Sequence, residues 1–196
     1  MGGFKSAYRS VTFDGQSLNL LPGPLDGGYP ATLMANYPTV AWNNAAKGAT
    51  SMSGLALTAA SRLLPHANAA VSTILILVDG QSDIATENDT GAALYAEEVS
   101  YANAARAAGF NVVIGTTIVP STDYTAGQET NRTNHNTLLL NHATTDPGVF
   151  NAVVDLANVS GLNNAAGTDY SDGLHWSVAG CLKAANAVSP VLATYL

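Results

Sequence analysis

Apolar and polar positions along this chain fall into two alternating rhythms. Residues 8–14 (YRSVTFD) alternate with the period of two that a half-buried strand requires, and Gly15 to Ser17 break the pattern. TVAWNNA (39–45) reads as a second strand. STILILVDG (72–80) is apolar and β-branched until it ends in a polar turn, as a central parallel strand buried on both faces should be. NVVIGTTIV (111–119), closed by Pro120, is the next strand, and VFNAVVDLANV (149–159) reads as a last strand or strand-like segment.

Between these runs the period lengthens. YPATLMANY (29–37) predicts a short helix with Pro30 near its first turn. SGLALTAASRLL (53–64) carries two stripes at steps of three and four, Leu55-Ala59-Leu63 and Ala56-Ala60-Leu64, before Pro65 stops it. Residues 91–108 place Leu94, Tyr95, Val99, Ala102 and Ala105 along one face, with Gly109 as the C-terminal cap. Further helices are predicted near 128–143 and from Ser177, an N-cap residue, towards Leu196, the last one kinked or split at Pro190. GQSDIATENDT, after the third strand, reads as a polar loop.

Strands alternating with helices imply right-handed crossovers and one parallel sheet covered on both faces, a three-layer α/β/α sandwich in a single domain over 1–196. Ligands of such sheets bind outside the carboxyl ends of the strands. That rule singles out three loops: DGQS after the first strand, NNAAKG after the second and DGQSD after the third.

Composition narrows the function classes. Seven Lys and Arg against 14 Asp and Glu give a net charge of −7 with no basic run, which offers no phosphate-neutralising surface for a nucleic acid. No apolar run approaches the roughly 20 residues needed to span a bilayer. The first residues, MGGFKSAYRS, lack the apolar segment of about 7–15 residues found in a secretory signal. Low charge and the sequons at Asn88, Asn131 and Asn158 suit an extracellular, cell-surface or virion setting. Cys181, the only cysteine, excludes an internal disulfide and reads as a small buried helix residue. No sustained heptad seam speaks to oligomeric state.

A serine in one of the selected loops becomes a nucleophile only if an imidazole accepts its proton and a third group orients that imidazole. Of the four histidines, His66 follows Pro65 at a helix end and reads as a solvated or capping residue. His135 and His142 fall on a predicted surface helix, without the spacing or companions of a metal site. His175 lies in YSDGLHWSVAG, three residues after Asp172, where one loop turn can bring a carboxylate to one ring nitrogen and leave the other free. An alternative use of Asp172 or Ser177 is as cap of the following helix.

In order, GQS near the N-terminus, a glycine loop after the second strand, GQSD after the third and DGLH near the C-terminus resemble the SGNH/GDSL hydrolase superfamily over nearly the whole chain. Gly15-Gln16-Ser17 is closer to the GQSN block of its sialate O-acetylesterase and acetylxylan esterase branch. The resemblance implies a flavodoxin-like SGNH fold and a serine esterase that needs no metal or organic cofactor. Its substrate would be a small acyl ester, an acetyl group on carbohydrate among them. Ser17 matches the nucleophile, His175 the general base and Asp172 its orienting carboxylate; Gly48 and the Ser17 N–H match oxyanion-hole donors. The third block departs from the family. Ser82 stands where the superfamily has Asn, and Asp79 where the branch has Gln; Gln81 is the favoured amide donor over Ser82, the alternative being an incomplete oxyanion hole. Tyr170 and Trp176 flank the His loop as candidate substrate-lining residues.

Two other readings compete. One is a carbohydrate-binding or structural module that keeps a hydrolase fold without turnover. The other, a nucleotide- or flavin-binding domain, lacks the GxGxxG or GxxxxGK[ST] spacing that wraps phosphates.

Overall fold

A computed structural model describes residues 9–20 and 28–196. Tyr8 of the first predicted strand, and most of the stretch read for a secretory signal, lie outside them. Five strands, β1 (Arg9–Gly15), β2 (Ala41–Asn44), β3 (Ser72–Val78), β4 (Val112–Thr116) and β5 (Ala152–Val154), form one sheet in the order β2-β1-β3-β4-β5. Every pair is parallel. Chain order runs outward in opposite directions from the β1/β3 pair, so the topological switch point lies between these two strands. Their register matches Gly15 with Val78, and the GQS and GQSD segments therefore leave the sheet side by side.

Alternation along β3 divides its side chains between two cores. Ile74, Ile76 and Val78 join Val11 and Phe13 beneath α1 (Gly28–Asn36) and α6 (Val178–Ala193). Leu75 and Leu77 pack on the other face with Leu55 of α2 (Met52–Arg62), Leu94 and Ala102 of α3 (Gly91–Ala108) and Leu139 of α4 (Ala126–Leu140). This is the expected α/β/α sandwich. Burying two faces of one strand is what makes an unbroken apolar run such as STILILV stable there.

Several local expectations change. Of the two stripes on α2 only Leu55, Ala59 and Leu63 are buried, whereas Ala56 and Ala60 face solvent, because a single sheet face is available to the helix. The helix predicted near 128–143 ends at Leu140 and is followed by a short α5 (His142–Thr145). The last strand shrinks to Ala152–Val154, and Leu156–Asn158 form a 3-10 turn. α6 runs through Pro190 unbroken. Pro190 and Asn186, whose carbonyl loses its helical partner, are both exposed, so the missing hydrogen bond falls on the solvent side of the helix. The supposed polar loop after β3 is helical: Gln81 and Ser82 begin a turn that continues as a π-helical segment, Asp83–Glu87.

His135 is not on the surface. It is fully buried, and its Nε2 lies 2.8 Å from the equally buried Glu98 carboxylate where α4 packs on α3. His142 belongs to α5, its Nδ1 2.9 Å from the Leu139 carbonyl and its ring edge-on to Phe150. His66 ends a 3-10 turn after α2, half-buried. Cys181 is buried in α6. Among the described residues no helix is long and apolar enough to cross a membrane.

Candidate active site

The turn that carries Ser17 is shaped by its neighbours. Gly15 has φ +119°, and a Cβ there would come within 2.0 Å of the Val78 carbonyl oxygen, so only glycine fits where the two strand ends meet. Gln16 N–H donates to that same carbonyl at 3.0 Å. Asn19, wholly buried, donates from Nδ2 to the carbonyls of Asp14 (2.9 Å) and Val78 (3.1 Å) and accepts from the Tyr29 hydroxyl (2.7 Å). Ser17 opens a 3-10 turn, Ser17–Asn19, at the end of β1.

Behind it, Asp14 is buried beneath the other face of the sheet. It accepts from the Tyr101 hydroxyl at 2.5 Å, from the Gly15 N–H at 2.8 Å and from Arg62, which also reaches the Ala45 carbonyl. Burial raises the Asp14 carboxyl above the usual range, with Tyr101 and Arg62 acting in the opposite direction. These groups tie β1 to α2, α3 and the segment after β2.

A second buried bridge joins the first and third loops. Gln16 Nε2 donates to Asp83 Oδ2 at 2.8 Å, and Gln16 Oε1 accepts the Ser82 N–H at 2.9 Å. Asp83 Oδ1 accepts the N–H of Met52, the first residue of α2, at 2.7 Å. Gln16 and Asp83 are 1% and 0% exposed, so one amide and one carboxylate clamp three loops together out of water.

The histidine comes from a stapled loop between Asp169 and α6. Asp172 Oδ1 accepts the N–H groups of Leu174 (3.0 Å) and His175 (2.7 Å), which folds the loop back on itself. Gly173 has φ +81°, and a Cβ there would meet Thr122 Oγ1 at 1.9 Å, again a position only glycine can take. Ser177, not Asp172, caps α6 by accepting the Gly180 N–H, which leaves the Asp172 carboxylate for the ring.

Thus Ser17 Oγ lies 3.0 Å from His175 Nε2, and His175 Nδ1 lies 2.7 Å from Asp172 Oδ2. Slight burial pushes the Asp172 carboxyl up, but the His175 ring and the two backbone N–H groups outweigh it and hold the carboxyl at about 2. As an anion, Asp172 accepts the proton of Nδ1, and in the neutral imidazole Nε2 then presents its lone pair to Ser17.

Ser17 and His175 line a cavity of about 360 Å³ together with Ala49, Ser51, Gln81, Ser82, Ala85, Thr86, Glu87 and Leu174. Gly48 stands beside the serine: a Cβ there would be 3.8 Å from Ser17 Cβ. The next residue, Ala49, takes a left-handed φ of +50°, uncommon for alanine. Gln81 is 5% exposed, and its Nε2 has no hydrogen-bond partner among the described residues. Ser82 lines the cavity too, but its N–H is committed to Gln16. Asp79 is not part of the lining. Burial, followed by the charges of Glu98, Asp83 and Asp14, drives its carboxyl well above the usual range.

Tyr170 and Trp176 do not line the cavity; their strand-like pairing turns both rings inward. They form an antiparallel bridge at the base of the His loop, Tyr170 donates to the Leu162 carbonyl at 2.6 Å, and Trp176 packs edge-on against Tyr29. Their part is to anchor the loop. The bridging pair Gln16 and Asp83 is not legible in the sequence. Both fall inside the quoted blocks, but nothing in residue order says that an amide at 16 meets a carboxylate at 83.

The fold is that of the lipolytic G-D-S-L, or SGNH, hydrolases. Among solved structures, the chain is similar to a member of the lipolytic protein G-D-S-L family from Veillonella parvula (16% identity, TM-score 0.76, covering 94% of this chain and 98% of that one). It is similar also to the acetyl xylan esterase AlAXEase (16%, TM-score 0.74, 93% and 99%) and to a carbohydrate esterase family 3 protein from Talaromyces cellulolyticus (15%, TM-score 0.75, 94% and 96%). No protein-family model and no curated protein matches the sequence.

Proposed function

We propose that the chain is one SGNH-type domain acting as a serine esterase on small acyl esters, with acetyl esters of carbohydrate as the substrate class. The observation that carries this reading is the hydrogen-bonded line Ser17–His175–Asp172, drawn from residues 158 positions apart in the first pair and opening into a cavity. A binding module without turnover has no need of a serine, an oriented imidazole and an ionised carboxylate in this arrangement. The similar structures, which include an acetyl xylan esterase and a family 3 carbohydrate esterase, favour the same substrate class.

In the proposed mechanism Ser17 Oγ attacks the acyl carbon while Nε2 of His175 takes its proton. Asp172 fixes the ring's tautomer and stabilises the imidazolium. The developing oxyanion receives the N–H groups of Ser17 and Gly48 and the Nε2–H of Gln81, a cavity-lining residue whose buried amide nitrogen has no partner among the described residues. Gln81 takes this role rather than Ser82. The imidazolium protonates the departing alcohol, and water, activated by the same Nε2, then releases the acid from Ser17. Asp79, buried and outside the cavity lining, is not placed to oppose the oxyanion.

Purified protein should hydrolyse an aryl acetate, and an organophosphonate probe should label Ser17 by mass mapping. Ser17→Ala should abolish both while leaving the circular dichroism spectrum unchanged. Turnover that survives in Ser17→Ala, or glycan binding with no turnover in the native chain, refutes the proposal.

A further inference from the structure

Beyond the acyl group, the cavity must also take the alcohol half of the ester. Besides Ser17, its lining holds three hydroxyl-bearing residues, Ser51, Ser82 and Thr86, and among the described residues no Lys or Arg. Glu87 is the one carboxylate in the lining among the described residues, and it has no cationic partner among them. Glu87 closes the π-helical segment, and the backbone holds it in place. Asn88 follows with a left-handed φ of +58°, Asp89 N–H returns to the Asp83 carbonyl at 3.1 Å, and Ile84 is fully buried. Gln128 Nε2, from the capping box of α4, donates to the Ala85 carbonyl at 3.0 Å. The segment is thus pinned on both sides. A π-turn of this kind re-aims side chains that a regular helix would point elsewhere.

We infer that Glu87 sets alcohol specificity, accepting hydrogen bonds from an uncharged, hydroxyl-rich alcohol and rejecting one that carries a carboxylate. The inference rests on the esterase reading above and deepens it. A sugar hydroxyl donating to a carboxylate makes a charge-assisted hydrogen bond. A carboxylate on the substrate meets a like charge at an exposed side chain, a repulsion that salt screens. Of the two substrate types that the sequence resemblance implies, acetylated neutral sugars and acetylated sialic acids, only the second bears that carboxylate. Glu87 therefore assigns the chain to neutral glycan esters.

The test compares kcat/KM for an acetylated neutral methyl glycoside and an acetylated sugar acid, in the native chain, Glu87→Gln and Glu87→Lys, at low and high salt. The ratio of acidic to neutral ester should rise about five- to tenfold in Glu87→Gln and several-fold further in Glu87→Lys. Salt should shrink the native preference. An unchanged ratio, with aryl acetate still hydrolysed by the native chain, overturns this inference alone. No aryl acetate turnover by the native chain overturns the esterase reading, and this inference with it.

Discussion

Exchanging the partners of the Gln16–Asp83 bridge should break the site with either single change and restore it with both. In Asp83→Asn the remaining carbonyl oxygen can still accept the Met52 N–H, now at 2.7 Å, but the new amide faces Gln16 Nε2, now at 2.8 Å, donor against donor. Rotating the Gln16 amide does not help, because its oxygen already accepts the Ser82 N–H at 2.9 Å. Unsatisfied donors at positions without water cost about 1–3 kcal/mol. Gln16→Glu sets two buried carboxylates against each other, which raises the pKa of one; a shift of about two pKa units costs about 2.7 kcal/mol at neutral pH. In the double variant the Asn amide donates to the new carboxylate, whose other oxygen keeps the Ser82 N–H, and every group is satisfied again. The double should lie within about 1 kcal/mol of the native chain, a coupling of about 3 kcal/mol or more. For a chain of this length, each single should lower Tm by about 3–10 °C. Thermal unfolding at pH 7 reads the stability, and aryl acetate turnover reads whether Ser17 and Gln81 regain their relative placement. A double variant as unstable as the sum of the singles would refute the assignment of the bridge.

Two further outcomes can be measured directly. Gln81→Ala should lower kcat for aryl acetate by about 10²–10³-fold with little change in KM, as loss of one oxyanion donor does; a change confined to KM would remove Gln81 from that role. Asp79→Asn should gain stability relative to the native chain as pH rises. Asp79 ionises near 3.9 when unfolded but well above that when folded, so between the two the folded state holds the extra proton and native stability falls with rising pH. Equal pH slopes for the two proteins, in urea unfolding from pH 4 to 8, would show that Asp79 is not the group responsible.

What could be read from residue order was whatever depends on local pattern. Period-two and period-three-to-four runs located the strands and most helices, since burial of one face or both is written into consecutive residues. The alternation of the two, with right-handed crossovers, gave the sandwich and pointed to the loops at one sheet edge. The Asp172-to-His175 spacing was legible because both partners share one turn. Tertiary structure decided what depends on distant partners. Glu98 lies on the same stripe of α3 as Leu94 and Ala102, and no local pattern shows that His135 will meet it. Tyr170 and Trp176 sit beside the His loop in sequence, but their strand-like pairing turns their rings into the core. The clamp of Gln16 on Asp83, the unpartnered Gln81 amide and the π-turn that presents Glu87 arise only when the ends of β1 and β3 meet. A hydrogen bond buried between loops depends on three-dimensional register, and that register is a property of the folded sheet, not of either loop.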